Sequence, residues 1–205
     1  MLHALTFLAL NILAVPANTN PWDEVKNADG LRVWARDVPG SNIREVKAET
    51  DVAVAPERVW EVLADIEHYT EFMPYVLEAR VLAPHETGHF EYQRIDPPLV
   101  DQRDYTLRVT RTANPALGEW RHSWVPANDR GPAAKNGVVR VTIAEGYWQL
   151  NRIDATHTKV TYWLYTDPGG SIPAFVANKA NTTSVPDLLG AVKHRALNPA
   201  WRRND

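Results

Sequence analysis

The sequence predicts an α+β fold in which a curved antiparallel β-sheet is covered by one long C-terminal helix. Three observations support this prediction. Apolar residues alternate with a period of two along most of the chain after Pro74. The connections between these alternating segments are short and rich in Pro, Gly, Asn and Asp, as in an antiparallel meander. The last apolar stretch, residues 172–197, is instead long and follows helical spacing.

The part of the chain before Pro74 predicts two strands followed by two small helices. A Pro-Gly-Ser-Asn turn at residues 39–42 separates the strand candidates 31–36 and 43–51. The first helix begins at Pro56, because Pro is tolerated in a first helical turn. Its apolar face is formed by Val59, Trp60 and Leu63. The second short helix, residues 68–73, ends at Pro74.

The part after Pro74 predicts further strands and then the long helix. The strands are expected at residues 76–82, 89–95, 104–112, 119–125, 138–150 and 159–166. Ser171 is expected to cap the N-terminus of the long helix, and Pro186 predicts a kink or a break within it. Because no other predicted element is as long, this helix must cover the concave face of the sheet.

The residues of the concave face follow from strand parity, because successive side chains point to opposite faces of a sheet. The assigned set combines aliphatic and aromatic bulk with a few polar tips: Tyr105, Leu107, Val109, Trp120, His122, Trp124, Val160, Tyr162 and Leu164. This mixture suits an apolar cavity with a few orienting hydrogen-bonding groups. A solid core, in which each polar tip has a protein partner, fits the same pattern. Periodicity leaves the two alternatives open.

Composition excludes several classes of function. The formal net charge of −3 gives no basic excess, so no nucleic-acid partner is predicted. The absence of Cys excludes thiol catalysis, disulfides and thiolate metal sites. His85 and His89 lie four residues apart, but across a predicted hairpin turn, where that spacing does not align metal ligands. We therefore predict no metal site and no cofactor.

The first 17 residues are apolar and end in Val15-Pro16-Ala17, close to a small-x-small cleavage pattern. We interpret residues 1–17 as a signal peptide and residues 18–205 as one domain. This predicts a periplasmic or secreted protein. The segment contains no Lys or Arg, so the alternatives are a short membrane anchor, or a cytoplasmic protein if the segment is not a true signal.

Five short motifs resemble a known family. They are PERVWEVLAD at 56–65, QRDY at 102–105, GYW at 146–148, TKVTY at 158–162 and DPGGSIPA at 167–174. In this order they resemble the START lipid-transfer domains, and the chain looks like a bacterial member of the helix-grip superfamily. The resemblance covers roughly residues 22 to 197.

The resemblance implies a helix-grip fold, with the sheet wrapped around the C-terminal helix and one lipid or sterol-like molecule between them. It implies a non-catalytic, monomeric carrier of an apolar small molecule that makes transient contact with a membrane. The expected ligand-binding residues are Tyr105, Leu107, Val109, Trp120, His122, Trp124, Tyr162 and Leu164, together with Phe175 and Val176 at the start of the helix.

One departure from the family concerns the internal Arg–acid pair of some sterol- and phospholipid-carrying relatives. Here the inward face after Arg103 and Asp104 shows Leu107 and Val109 instead, so that anchor is not carried over. We expect Arg103 and Asp104 to have a structural role.

The alternative function is that of a helix-grip enzyme of the cyclase or hydratase type, acting on a polyketide-like or cyclic substrate. Its acid–base group would be His122, Asp104 or Glu145.

Overall fold

The computed structural model describes residues 18–98 and 100–201. The segment interpreted as a signal peptide, residues 1–17, lies outside the described residues. The strands are β1 (Asp23–Ala28), β2 (Leu31–Arg36), β3 (Glu45–Val52), β4 (Val76–His85), β5 (Gly88–Ile95), β6 (Gln102–Asn114), β7 (Glu119–Pro126), β8 (Val138–Arg140), β9 (Ile143–Arg152) and β10 (Thr158–Asp167). The α-helices are α1 (Pro56–Ala64), α2 (Tyr69–Phe72) and α3 (Ala174–Leu197), and 3₁₀ turns occupy Ile66–His68 and Asn128–Arg130. The predicted α+β helix-grip fold is confirmed.

The strands form one ten-stranded sheet in the order β1-β2-β3-β10-β9-β7-β6-β5-β4, with β8 beside β6. The pairings along this order are antiparallel, whereas the short strand β8 runs parallel to β6. Pairing of β3 with β10 joins the three N-terminal strands to the strand that leads into α3. The concave face, α1 and α3 enclose the main hydrophobic core.

Two strand assignments differ from the sequence prediction. Strand β1 was missed because all six of its residues are exposed and show no apolar alternation. Its presence means that the two small helices follow the third strand of the chain. The predicted strand 138–150 is two strands, β8 and β9, since the backbone changes neighbours after Arg140. A nearly continuous run of β-forming residues hides this change in the sequence.

Helix α3 differs from the prediction at its start and at Pro186. It begins at Ala174 after Pro173, and no side chain caps its N-terminus, so Ser171 is not the cap. It runs without a break through Pro186. Pro186 removes one backbone donor, but an apolar stripe holds the helix on the sheet. The stripe consists of Ala177, Asn181, Val185, Leu189, Val192 and Ala196.

Polar side chains tie the first half of α3 to the sheet. Asn178 donates through Nδ2 to the carbonyl of Asn42 (2.9 Å) and accepts through Oδ1 from the backbone N–H of Arg44 (2.8 Å). Asn181 donates through Nδ2 to the carbonyl of Thr166 (3.0 Å). These bonds fix the helix above the concave face at the end of β10.

The other end of α3 is held by Arg58 of α1. Its guanidinium donates to the carbonyls of Ala196 (3.2 Å) and Asn198 (2.8 Å) and lies over the ring of Trp201. The positive charge also complements the carboxyl end of the helix dipole. Within residues 18–98 and 100–201, no helix is both long and apolar enough to cross a membrane.

Candidate functional site: a cavity beneath the C-terminal helix

A cavity of about 200 Å³ lies between the concave face of the sheet, α2 and α3. Its walls come from β4, β5, β6, β7, β9 and β10, and α3 forms part of its cover. The lining residues are Tyr69, Met73, Pro74, Tyr75, Val76, Glu91, Gln93, Ile95, Tyr105, Leu107, His122, Trp124, Trp148, Tyr162, Ser184 and Leu188. A mainly apolar wall with a few polar groups is typical of small-molecule sites.

A second depression, of about 700 Å³, lies where the β5–β6 connection approaches the start of α3. It is open to solvent and includes Asp96, Asp101 and Arg103. Because it does not exclude water, an apolar molecule would gain little there. The cavity beneath α3, which is less open to solvent, is therefore the candidate site.

Aromatic side chains on neighbouring strands form one wall of the cavity. Trp148 and Tyr162 are directly paired across β9 and β10, and their ring centroids are 4.5 Å apart. The ring centroid of Trp124 is 5.9 Å from that of Tyr162. Trp124 lies across Gly146, where a Cβ atom would collide with its indole. Gly146 thus lets Trp124 lie against the sheet, which leaves the space beside it open.

A chain of hydrogen bonds forms the polar end of the cavity. Tyr105 donates its hydroxyl to Oε1 of Gln93 (3.1 Å), and Gln93 donates through Nε2 to Oε1 of Glu91 (2.8 Å). The second carboxylate oxygen of Glu91 lies 2.8 Å from Nε2 of His89. Glu91 is only 2 % exposed, so these bonds replace the water that its carboxylate loses on burial.

His122 lines the cavity beside this chain. It is 3 % exposed, and its Nδ1 has no hydrogen-bond partner among the described residues. Burial, with the nearby positive charge of Arg111 and the neighbouring His89, holds the pKa of His122 well below its ordinary range. The imidazole is therefore neutral at neutral pH.

Burial also keeps the phenols of the cavity in their protonated form. It raises the pKa of Tyr105 and of Tyr162 above the ordinary range for tyrosine, with a further contribution from Glu91 at Tyr105 and from Tyr105 at Tyr162. The pKa of Tyr69 is raised in the same way. These hydroxyl groups therefore enter any ligand contact as neutral donors and acceptors.

Residues 52–193 match the model of the family described as polyketide cyclase/dehydrase and lipid transport. The chain belongs to this family. It is similar to an uncharacterized protein of Pseudomonas aeruginosa, with 28 % identity over 85 % of this chain and 87 % of the relative. It is also 25 % identical to human START domain-containing protein 10, over 89 % of this chain but only 64 % of the human protein.

Solved structures of START domains share the fold of this family member. A STAR-related lipid transfer protein from Xanthomonas axonopodis superposes with a TM-score of 0.79 at 30 % identity, covering 86 % of this chain and 99 % of that one. Human STARD10 superposes with a TM-score of 0.78 at 20 % identity, covering 86 % of this chain and 73 % of that one. The resemblance stated from the sequence is confirmed.

Five of the ten expected ligand-binding residues line the cavity of this family member. These are Tyr105, Leu107, His122, Trp124 and Tyr162. The structure brings them together as strand parity predicts. Their contact with a ligand stays a prediction.

The other five expected residues lie outside the cavity. Val109 and Trp120 point inward but are packed in the core, with exposures of 0 % and 2 %. Leu164 is partly buried against the same core. Phe175 (76 % exposed) and Val176 lie on the outer side of α3, because the inward stripe begins only at Ala177. Parity assigns a face, but it does not say which inward positions border empty space.

The sequence reasoning also missed several residues of the cavity. Glu91 and Gln93 alternate on β5 in register with Leu107 and Tyr105, so parity could have found them. They were overlooked because an acidic side chain is rarely buried. Arg111 was missed as well: it does not line the cavity, but it is inward by parity, directly opposite His122, and its guanidinium lies 3.8 Å from the ring centroid of Trp60.

Two of the acid–base candidates do not reach the cavity. Asp104 is fully buried on the opposite face of β6, where its carboxylate accepts from Nε (2.6 Å) and Nη2 (3.0 Å) of Arg140 and from the hydroxyl of Tyr92 (3.0 Å). Glu145 is exposed on β9. Arg103 donates to the carbonyl of Asp101, so Arg103 and Asp104 do not form an ion pair with each other.

Across the described ranges, no three His, Cys, Asp or Glu side chains form a metal-binding group.

The neutral state of His122 predicts an acid-sensitive contribution to stability. Its pKa is lower in the folded chain than the ordinary value of 6.5, so below about pH 6.5 the unfolded chain binds the proton first. The contribution of the neutral imidazole to the free energy of unfolding is therefore fully present above that pH. It is lost as the pH falls, by at most about 1.4 kcal/mol per pH unit. Denaturant unfolding of a His122→Leu variant should show a smaller decrease between about pH 6.5 and pH 5 than the parent does.

The control for this prediction is a His157→Asn variant, because His157 is exposed in the β9–β10 turn. His68 contributes with the opposite sign, since its hydrogen bond to Asp65 raises its pKa, and it is present in all three proteins. An unchanged pH dependence in the His122→Leu variant would contradict a neutral buried imidazole.

Proposed function

We propose that this chain binds one apolar molecule, a lipid or a sterol-like compound, in the cavity beneath α3 and carries it without chemical change. The observation that supports the proposal is an aromatic-walled cavity, partly covered by α3, in a member of a family whose description includes lipid transport. Similarity to a protein described as a STAR-related lipid transfer protein supports the same function.

The energetics of such binding are favourable. Burial of about 300 Å² of apolar ligand surface contributes about 7 kcal/mol, at roughly 25 cal/mol per Å². Part of this is offset by the lost freedom of the ligand and of the side chains that it orders. The rigid rings of Trp124, Trp148 and Tyr162 have little rotamer freedom to lose.

The cavity volume requires α3 to move when a larger ligand enters. The volume of about 200 Å³ is smaller than that of most drug-sized sites, which hold about 300 to 1,000 Å³. Gly169 and Gly170 precede the helix with φ angles of +68° and +73°, a region that other residues rarely adopt. The helix also lacks one internal hydrogen bond at Pro186. We propose that α3 shifts as a lid over the cavity.

The test of the proposal begins with the full chain purified under native conditions. Organic extraction followed by mass spectrometry should release one apolar compound in near one-to-one ratio. After delipidation, the uncharged fluorophore N-phenyl-1-naphthylamine should bind with the same stoichiometry, and the extracted compound should displace it. Protein that releases no apolar compound and takes up no fluorophore would contradict the proposal.

A second candidate is an enzyme of the cyclase or hydratase type, which the other half of the family description allows. The observation in its favour is His122, a buried imidazole beside the Glu91–His89 pair. A general acid or base works best when its pKa lies near the working pH. The lowered pKa of His122 therefore favours binding over acid catalysis. If the chain is this enzyme, His122→Ala should abolish turnover of a polyketide-like substrate in a folded protein.

The proposal places the mature domain in the periplasm as a monomer that touches a membrane transiently. The apolar residues 1–17 support export, through their resemblance to a signal peptide. Exposed Phe175 and Val176, at the end of α3 nearest the glycine pair, would favour contact with a lipid surface. The intact mass of protein from a periplasmic extract should equal that of a chain without the leader. Protein that keeps the leader and stays in the cytoplasm would contradict this part of the proposal.

A further inference from the structure

We infer that the ligand of the cavity carries an uncharged hydrogen-bonding group, such as a hydroxyl or a carbonyl, and that the cavity rejects ionised head groups. This inference rests on the proposed function and names the chemical class of its ligand. It follows from the charges of the cavity wall and from the hydrogen bonds that the wall leaves unused.

The cavity wall offers no cation to a phosphate or a carboxylate. Glu91 is the one charged side chain among the described residues that line it, and no Lys or Arg does so. Arg111, which lies opposite His122 behind the wall, is already engaged: its Nη2 donates to the carbonyl of Trp60 (3.1 Å), and its guanidinium lies over the indole of the same residue. An anionic head group would therefore meet Glu91 at the wall and no Lys or Arg side chain there that could donate to it.

The wall also offers little to a cationic head group. Both carboxylate oxygens of Glu91 are engaged, one by Gln93 and the other by His89. An ammonium group would have to displace one of these donors while losing its own water shell. The free-energy cost of removing an ion from water is offset only when the site supplies an oppositely charged partner with good geometry and also satisfies the ion's remaining hydrogen bonds.

A neutral polar group, in contrast, finds unused partners. His122 is neutral, buried and without a hydrogen-bond partner at Nδ1. The hydroxyl of Tyr105 donates to Gln93, which leaves its oxygen able to accept. Buried polar groups are normally paired, so His122 and Tyr105 are the natural partners of a ligand hydroxyl or carbonyl.

The first experiment compares ligands that share one chain and differ only in their head groups. Decanol, decyl phosphate and decyltrimethylammonium, each below its micelle concentration, compete with N-phenyl-1-naphthylamine for the delipidated full chain. We expect decanol to displace the fluorophore at least about 30-fold more effectively than either ion, because a buried ion without a partner is strongly disfavoured. Equal or tighter displacement by decyl phosphate or by the ammonium compound would overturn the inference.

Two variants separate this inference from the proposed function. His122→Phe keeps an apolar ring but removes the hydrogen-bonding nitrogens, so the affinity for decanol should fall about 5- to 10-fold relative to the fluorophore affinity measured on the same variant. Ser184→Lys places an ammonium group on the α3 side of the cavity and should reverse the preference towards decyl phosphate. Because this variant gains a property, misfolding cannot imitate its expected result.

The outcomes of these experiments are distinct. Fluorophore binding without discrimination among the three head groups overturns the inference and leaves the proposed carrier function standing. Absence of fluorophore binding in the parent protein overturns both. If the affinity for decanol relative to the fluorophore is the same in the parent and in His122→Phe, the imidazole is not the partner and the inference fails as stated.

Discussion

A Ser184→Trp variant is expected to lose at least about 100-fold in affinity for apolar ligands while remaining folded. Ser184 lines the cavity from α3, so an indole at this position occupies the volume of about 200 Å³ that a ligand would fill. The indole gains burial at the same time, which limits the cost of overpacking to about 1–3 kcal/mol. Fluorophore titration and thermal unfolding measure the two effects separately.

The matched control for this variant is Thr183→Trp. Thr183 is the preceding residue of the helix and is exposed, so its indole would point to solvent. It should bind the fluorophore like the parent protein. Full affinity in the Ser184→Trp variant, with the fold intact, would place the ligand outside the cavity. The open depression near Arg103 would then be the next candidate.

Much of the cavity could be predicted from the sequence because strand parity is a rigid geometric rule. The side chains of Tyr105, His122 and Tyr162 lie on one face in the structure as the alternation requires. A side chain that points to the concave face does not necessarily border the cavity, however. Trp120 obeys the same parity and is packed solidly in the core. Which inward residues border a void depends on how closely α3 and α2 approach the sheet, and no local pattern in a single sequence encodes that distance.

The polar end of the cavity was harder to predict for a different reason. Glu91 is a charged residue in a strand, and such a residue is normally assigned to the solvent face. Its burial depends on donors that come from its own strand two residues away on each side, Gln93 and His89. The alternation of His89, Glu91 and Gln93 was visible in the sequence. Their shared inward direction became evident only from the register of β5 against β6.

The start of β6 shows in physical terms why the internal Arg–acid pair of some relatives is not carried over to Arg103 and Asp104. Neighbouring residues of a strand point to opposite faces, so Arg103 and Asp104 cannot share one site. Asp104 lies under the segment that follows β7. In that segment Asn128 accepts from the N–H of Thr106 (2.8 Å) and donates to the carbonyl of Val141 (2.7 Å). This segment covers the first part of the outer face of β6, where Asp104 and Thr106 are buried, whereas Arg108 on the same face is exposed.

Replacement of Asp104 by Ala is expected to lower the free energy of unfolding by about 2–3 kcal/mol, because it leaves the partly buried guanidinium of Arg140 without its carboxylate. The thermal midpoint should fall by roughly 2–4 °C for each kcal/mol in a chain of this length. The hydroxyl of Tyr92, whose pKa burial and this carboxylate raise to about 12, also loses its acceptor. Chemical denaturation of the variant and of an Asp129→Ala control, in which an exposed carboxylate of the same covering segment is removed, measures the difference.

The same variant decides whether Asp104 has any part in ligand binding. Its carboxylate faces away from the cavity, so the folded fraction should bind the fluorophore with the affinity of the parent protein. A second variant, Asp104→Leu combined with Arg140→Met, removes both charges and should recover part of the lost stability, since replacing a buried ion pair by apolar groups costs less than breaking it. Lost affinity without lost stability in Asp104→Ala would instead make Asp104 a ligand contact, and the carrier site would then have to extend through the sheet to its outer face.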